Sequence, residues 1–158
     1  MDVPPLSDDE SLVRAFFCPE QHNGQEFLAT AVSLDDLKDR GFSVDRPTLT
    51  PLSVLTHRVT TQQANKPDVR EFTKFSQLFY AKLKEDRDPA GQDYFDVQAS
   101  PVTESEDEPA NPGHASIYSA DKSLGRGGLR KVRTELIKHL NNIVELENVA
   151  YLPDAVHD

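Results

Sequence analysis

Arg14 and His114 are the two side chains of this 158-residue sequence whose chemistry and position first indicate a site. Arg14 interrupts the apolar run at 11–17, and His114 follows an Asn-Pro-Gly turn and opens a strand pattern. Functional side chains often stand where a loop meets a regular element. Arginine binds phosphate oxygens and histidine exchanges protons near neutral pH. If the two side chains share a cleft, they predict a small enzyme acting on a phosphorylated, nucleotide or NAD-like substrate.

Hydroxyl groups accompany His114 on its predicted strand. Because successive side chains of a strand alternate between faces, His114, Ser116 and Tyr118 share one face. The catalytic candidates of this acid/base and hydroxyl constellation are Arg14, His114 and Tyr118. The alternative, which the sequence alone favours, is a polar sheet face turned to solvent. In that alternative Arg14 extends its charged end into water from an edge strand.

A second candidate site is the glycine-rich start of the last predicted helix. Residues 121–138 hold six bases and two acids, so the local net charge is 6 − 2 = +4. Glycine permits close approach of a ligand, and a helix N-terminus offers unpaired N–H groups to an anion. The segment matches neither G-x-x-x-x-G-K-[ST] nor G-x-G-x-x-G, so neither nucleotide-binding fingerprint is present. The candidate anion- or partner-binding residues are Arg126, Arg130, Lys131 and Lys138.

Negative charge is concentrated just before this basic helix. Residues 86–110 hold eight acids and one base, a local net charge of 1 − 8 = −7. Two patches of opposite sign favour steered association. We therefore expect, first, an interaction protein that docks a partner protein or another copy of itself through the basic helix and the acidic loop at residues 100–113. Solvated surfaces, or docking of one segment on the other, are the alternatives.

Contact with nucleic acid is the third functional class. The basic helix face would meet phosphates, while the chain as a whole carries 17 basic and 27 acidic residues and a net charge of −10. Nucleic-acid binding needs a concentration of Lys and Arg, so the charge argues against an extended platform but leaves a local patch open. The sequence does not decide whether the protein is an enzyme, and it indicates no cofactor.

Several other classes are excluded by residue counts and spacing. The single cysteine, Cys18, cannot form an internal disulfide or a cysteine-based zinc site. The five histidines include no H-x-x-x-H or H-E-x-x-H pair, so we predict no metal site, and His57-Arg58 is interpreted as a surface pair. No apolar run approaches the roughly 20 residues of a membrane-spanning helix. We expect no membrane contact and a cytoplasmic location.

Local patterns predict both strands and helices. The short apolar run at 11–17, ended by Cys18-Pro19, suits a strand by its length, and the alternation at 94–99 and 114–119 is typical of half-buried strands. Asn23-Gly24 predicts a hairpin whose second strand covers 26–32. The ambiguous segment 68–84 is interpreted as a short helix through about Ser76 followed by a strand. Helices are predicted at 33–41, from Pro51 to about residue 65, and at the C-terminal end. The apolar positions of that last helix are Leu129, Val132, Leu136, Leu140 and Ile143.

These elements predict an α+β fold. Alternating strands favour a small, mainly antiparallel sheet flanked by three or four helices, with an amphipathic helix at the C-terminal end. We expect a flexible N-terminal lead at 1–10 and one domain at 11–158. Within that domain the acidic segment 100–113 is expected to be a disordered or mobile loop, because it has little apolar surface to offset its ordering entropy.

Overall fold

Six strands form one antiparallel sheet in the order β4-β5-β2-β1-β3-β6. The computed structural model describes residues 1–153. The strands are β1 Ser11–Pro19, β2 Phe42–Asp45, β3 Arg70–Phe79, β4 Phe95–Ala99, β5 His114–Ser119 and β6 Ile143–Val144. The antiparallel sheet and its helices confirm the predicted α+β fold.

Residues 1–153 also form three α-helices and three short helical turns. The α-helices are α1 Leu52–Asn65, α2 Tyr80–Glu85 and α3 Arg126–Leu140. Ala29–Ala31 and Leu146–Asn148 form 3-10 turns, and Asp36–Arg40 forms a π-helical turn. No helix in the described part of the chain is long and apolar enough to cross a bilayer.

The main core lies between α3 and one face of the sheet. Leu12 and Phe16 of β1 and the neighbouring side chains of β2 and β5 point to this face. The predicted amphipathic helix supplies the opposite wall through the buried residues Leu129, Val132, Leu136 and Leu140. Ile143, the fifth predicted apolar position, lies beyond the helix in β6 and is largely exposed. The other sheet face, on the side of Val13, carries α1 and the cleft described below.

The order of elements between residues 68 and 85 is the reverse of our prediction. The chain forms β3 first and the short helix α2 afterwards. β3 pairs with β1 along its whole length, from Phe79 opposite Ser11 to Arg70 opposite Pro19. The helical spacing of the phenylalanines is outweighed by this long ladder, because strand preference depends on cross-strand neighbours more than on local pattern.

The predicted second strand at 26–32 is also wrong. Asn23-Gly24 does make a tight turn, with Gly24 at φ 94°, but only His22 and Phe27 pair across it. The chain then enters the 3-10 turn at Ala29–Ala31. The Phe27 ring packs edge-on against Phe16, with ring centroids 4.6 Å apart. The apolar residues of this segment therefore cover the core as a loop instead of extending the sheet.

Both segments expected to be flexible contact the folded domain. The buried guanidinium of Arg46 donates hydrogen bonds to the Glu10 carboxylate and to the carbonyl oxygens of Pro4 and Pro5. In the acidic loop, Val102 and Asn111 exchange backbone hydrogen bonds of 2.9 and 2.8 Å. The mobility of these segments stays a prediction, and the end of the predicted domain, residues 154–158, lies outside the described residues.

Candidate functional site

A cleft of about 570 Å³ opens between β1, β2, α1 and the acidic loop. Its volume falls within the range of about 300–1,000 Å³ typical of small-molecule sites. The cleft is lined by side chains from distant parts of the sequence, so only the folded chain assembles it. The polar lining residues that matter below are Arg14, Ser43, Asp45, Arg58, Glu108 and His114.

The cleft reaches the sheet where β1 and β2 separate. These two strands pair at one position, Val13 opposite Asp45. Next to this pair the Arg14 side chain bridges the two strands, because its Nη1 donates a 2.8 Å hydrogen bond to the carbonyl oxygen of Ser43. The same guanidinium lies 4.3 Å from the centre of the Phe42 ring. Burial, with the positive charge of Arg58 as a second cause, lowers the pKa of Arg14 to about 10.

Asp45 is the buried carboxylate at the base of the cleft. Arg58 of α1 binds it through both terminal nitrogens, at 3.0 and 2.5 Å, and the Asn111 amide donates a third hydrogen bond of 3.1 Å. Burial opposes the charged form of Arg58, but the hydrogen bonds and charge of Asp45 outweigh it and raise the Arg58 pKa. Burial and the same carboxylate raise the pKa of Tyr151, whose hydroxyl lies 3.4 Å from Asp45.

His114 is held by hydrogen bonds at both ring nitrogens. Nδ1 lies 2.9 Å from the carbonyl oxygen of Ser100 and 2.8 Å from its hydroxyl, which in turn lies 2.8 Å from the Ser116 hydroxyl. We assign the proton to Nδ1, because the carbonyl can only accept, whereas the Ser100 hydroxyl can donate to Ser116. Nε2 is then an acceptor, and the hydroxyl of Ser43 donates to it at 3.0 Å. Burial lowers the pKa of His114, so the imidazole is neutral at neutral pH. A serine hydroxyl on a neutral, oriented imidazole is the arrangement of an activated nucleophile and its base.

The structure brings two of the three predicted catalytic residues together. Arg14 and His114 line the same cleft and both bind Ser43, one at its carbonyl oxygen and the other at its hydroxyl. Tyr118 does not line this cleft within the described residues, and the Lys122 ammonium lies 3.9 Å from the centre of its ring. The catalytic roles of all three side chains stay predictions.

Sequence reasoning missed three polar residues of the cleft. Ser43 and Asp45 lie in a strand of four residues, too short to show which face is buried. Arg58 was interpreted as a surface residue, whereas it forms the ion pair with Asp45. A signal was present, because Asp45 follows buried apolar residues and an acid at such a position needs a partner. Nothing in the sequence identified α1 as the element that supplies it.

Helix α3 packs on the opposite face of the sheet from α1, but its first residue, Arg126, lines a second cavity together with Arg14 and Asp36, which also line the cleft. Arg126, Arg130, Lys131 and Lys138 are exposed. Lys138 pairs with Glu135 at 3.0 Å, and no ion pair in residues 1–153 joins α3 to residues 104–108. Asp107 and Glu108 instead line the cleft. The basic residues of α3 are therefore not ion-paired with the acidic loop in the described part of the chain.

Comparison with known proteins adds no functional assignment. No protein-family model matches the chain, and no curated protein or solved structure is significantly similar to it. Function is therefore inferred from the geometry of the chain itself.

Proposed function

We propose that the protein is a small enzyme that binds an anionic, nucleotide-like substrate in the cleft. In this proposal Ser43 is the nucleophile and His114 is its base. The observation that carries it is the 3.0 Å hydrogen bond from the Ser43 hydroxyl to Nε2 of His114, with Nδ1 held by the Ser100 carbonyl. The lowered pKa of His114 supports it, because the base must be unprotonated to accept the serine proton.

The chemistry that fits this pair is ester hydrolysis in two steps. Nε2 takes the hydroxyl proton as Oγ of Ser43 forms a bond to the phosphorus or carbonyl carbon of the ester, and the leaving oxygen departs with the proton from His114. Water then attacks the Ser43 ester, His114 takes a proton from that water, and Oγ regains a proton as it leaves. Substrate and water become an acid and an alcohol, and the protein is restored.

Arg14 is the positioning and charge-stabilising group of this proposal. Its guanidinium is already bound at the carbonyl of Ser43, so positive charge lies next to the nucleophile. Fixed charge beside a reacting oxygen stabilises the negative charge that develops there. Arg58 supplies further N–H donors, because a guanidinium has five and Asp45 takes two of them.

The acidic residues of the cleft restrict the substrate class. Four carboxylates line it, against two arginines. A small, highly charged anion such as free phosphate would be repelled by the acidic side, whereas a ligand with hydroxyl or amino groups would be bound by it. The substrate that fits both sides combines one anionic ester with a hydroxyl-rich or amine-bearing group, as a nucleotide does. The acidic residues of the lining are Asp36, Asp45, Asp107 and Glu108.

Ser43 and His114 provide the direct test. We would measure hydrolysis of a panel of chromogenic phosphodiesters and carboxylic esters by the full chain and by S43A, H114Q and H57Q. His57 lies at the same cleft but is exposed, so H57Q is the matched control. Loss of about 10²–10⁴-fold in S43A and H114Q, with H57Q unchanged, supports the proposal. Wild-type inactivity across the panel, or full activity in S43A, shows that the polar network only holds β2 to β5.

A second candidate function is docking of an acidic protein partner by α3. Arg126, Arg130 and Lys131 are exposed and form no ion pair within residues 1–153, so their charge is available to a partner. We would follow self-association by light scattering at low and high salt, comparing wild type with R130E/K131E. Association that weakens with salt and in the variant supports docking between copies. Binding of mixed oligonucleotides in the same salt series would favour the nucleic-acid alternative.

A further inference from the structure

A half-buried group of one histidine and two carboxylates lies on the α3 side of the sheet, away from the cleft. It consists of Asp86, Glu135 and His139, whose ligand atoms all lie within 4.8 Å of one another. Glu135 and His139 are four residues apart on α3, so one helical turn places them on the same face. Asp86 comes from a different element, directly after α2. The spacing of the histidines along the sequence does not reveal this group, because two of its three members are acids.

The backbone holds Asp86 towards α3. Its N–H donates to the carbonyl of Leu83 at 3.4 Å, and its own carbonyl accepts from the N–H of Tyr94 at 3.3 Å. Its Oδ2 lies 2.7 Å from Nε2 of His139, and the edge of that ring faces Phe95, with ring centroids 5.6 Å apart. Carboxylate and imidazole are thus placed together before any ion arrives.

The charges at this group are incompletely neutralised by the protein. Asp86 and Glu135 have side chains 19% exposed, whereas Lys138, which pairs with Glu135 at 3.0 Å, is 67% exposed. Two partly desolvated carboxylates beside a histidine are stabilised by a cation that reaches them more closely than the lysine does.

We propose that Asp86, Glu135 and His139 form a binding site for a divalent transition-metal ion, of which Zn²⁺ is the best match. Zinc accepts imidazole nitrogen together with carboxylate oxygen, and three protein ligands leave its fourth position open to water or substrate. Calcium and magnesium prefer oxygen ligands alone, so the histidine selects against them. Zinc–ligand bonds of about 2.0–2.2 Å require tetrahedral ligand atoms about 3.3–3.5 Å apart. Ion binding would therefore replace the 2.7 Å hydrogen bond between Asp86 and His139, whose atoms must move apart, while all ligand atoms start within 4.8 Å of one another.

The first test is titration of the metal-free full chain with Zn²⁺ in competition with a chromophoric chelator. We expect one saturable site, which E135Q and H139Q each weaken by at least about tenfold. K138Q should instead tighten binding by about two- to fivefold, because it removes the exposed cation that competes for Glu135. H57Q, which replaces an exposed histidine elsewhere, and S43A should leave the affinity unchanged.

The circular dichroism spectrum and the melting temperature of each metal-free variant check that the variant is folded. E135Q changes a carboxylate to its isosteric amide and leaves His139 in place, so it remains informative if H139Q fails to fold. Absence of saturable binding overturns the proposal, and so does equal affinity in wild type and E135Q. Substitution of Co²⁺ provides an independent check, because a thiolate band in its absorption spectrum would implicate Cys18 and also overturn it.

Discussion

Arg58 of α1 binds both carboxylate oxygens of the buried Asp45, at 3.0 and 2.5 Å, and so fastens the helix to the sheet at the base of the cleft. Asp45 is 1% exposed. Its remaining hydrogen-bonding capacity is used by Asn111 of the acidic loop and by Tyr151. Segments that are distant in the sequence are therefore joined at one carboxylate.

Removal of Arg58 should destabilise the fold strongly. R58A leaves the Asp45 charge buried with only neutral partners, and breaking a buried pair in this way costs about 3–5 kcal/mol. Because the Arg58 side chain is 30% exposed, we expect the lower part of that range, about 3 kcal/mol. Urea denaturation would measure it. D45N/R58A should recover part of the loss, since the buried charge is gone; a double variant less stable than R58A would contradict this account.

The free energy of unfolding should decrease as the pH is lowered, because His114 becomes protonated. Burial lowers its pKa in the folded state, so below about pH 6.5 the unfolded chain binds a proton that the folded chain does not. The free energy of unfolding therefore decreases as pH falls from about 6.5 towards the folded pKa. The pKa of His22 is also lowered by burial and contributes with the same sign. Chemical denaturation from pH 8 to 5 should show a shallower decrease in H114Q than in wild type.

The comparison with H114Q is needed because of His22. A wild type and an H114Q variant that lose stability equally over the range would show that the buried imidazole of His114 has no part in the pH dependence. H22Q provides the complementary measurement, since it should remove the contribution of His22, which has the same cause and the same sign.

Gly113 should tolerate no side chain. A Cβ at this position would lie 2.1 Å from Oγ1 of Thr50 and 2.6 Å from the carbonyl oxygen of Arg46. G113A should destabilise the protein by at least about 1–3 kcal/mol and displace His114, which follows directly. G127A is the matched control, because nothing lies within 4 Å of a Cβ there and alanine favours the first turns of α3.

Thermal unfolding of the two glycine variants would check this prediction. We expect a lower melting temperature for G113A and an unchanged or slightly higher one for G127A. A G113A protein with wild-type stability and cleft activity would show that the loop before β5 can move away from Thr50 without disturbing the site.

Arg46 should decide whether the N-terminal segment is held on the domain. R46A removes the donor to Glu10 and to the carbonyl oxygens of Pro4 and Pro5, and leaves Glu10 without its ion-pair partner. Amide hydrogen exchange of residues 7–10 should become faster, and stability should fall by about 3 kcal/mol because a side chain 2% exposed is lost. Equally fast exchange in wild type and variant would show that the expected flexible lead is flexible despite these contacts.

The fold class followed from patterns that local chemistry controls. The short apolar run at 11–17, the alternation at 94–99 and 114–119 and the apolar spacing of the last helix all correspond to the expected elements. Segment 70–79 did not, because the spacing of its phenylalanines is that of a helix although the segment forms a strand. Its conformation is set by the nine paired positions it makes with β1, and no local pattern contains them.

The candidate site shows the same division. Arg14 and His114 were identified by their residue types and by their places at a strand centre and a strand start, both of which a sequence displays. Their shared partner Ser43 was not, since one hydroxyl in a short strand resembles any other until two distant side chains reach it. The same holds for Asp86, which meets His139 only after α2 and α3 have packed. The chemistry of a residue can be read from the sequence, whereas the distances between segments depend on how the strands pair and the helices pack on the sheet.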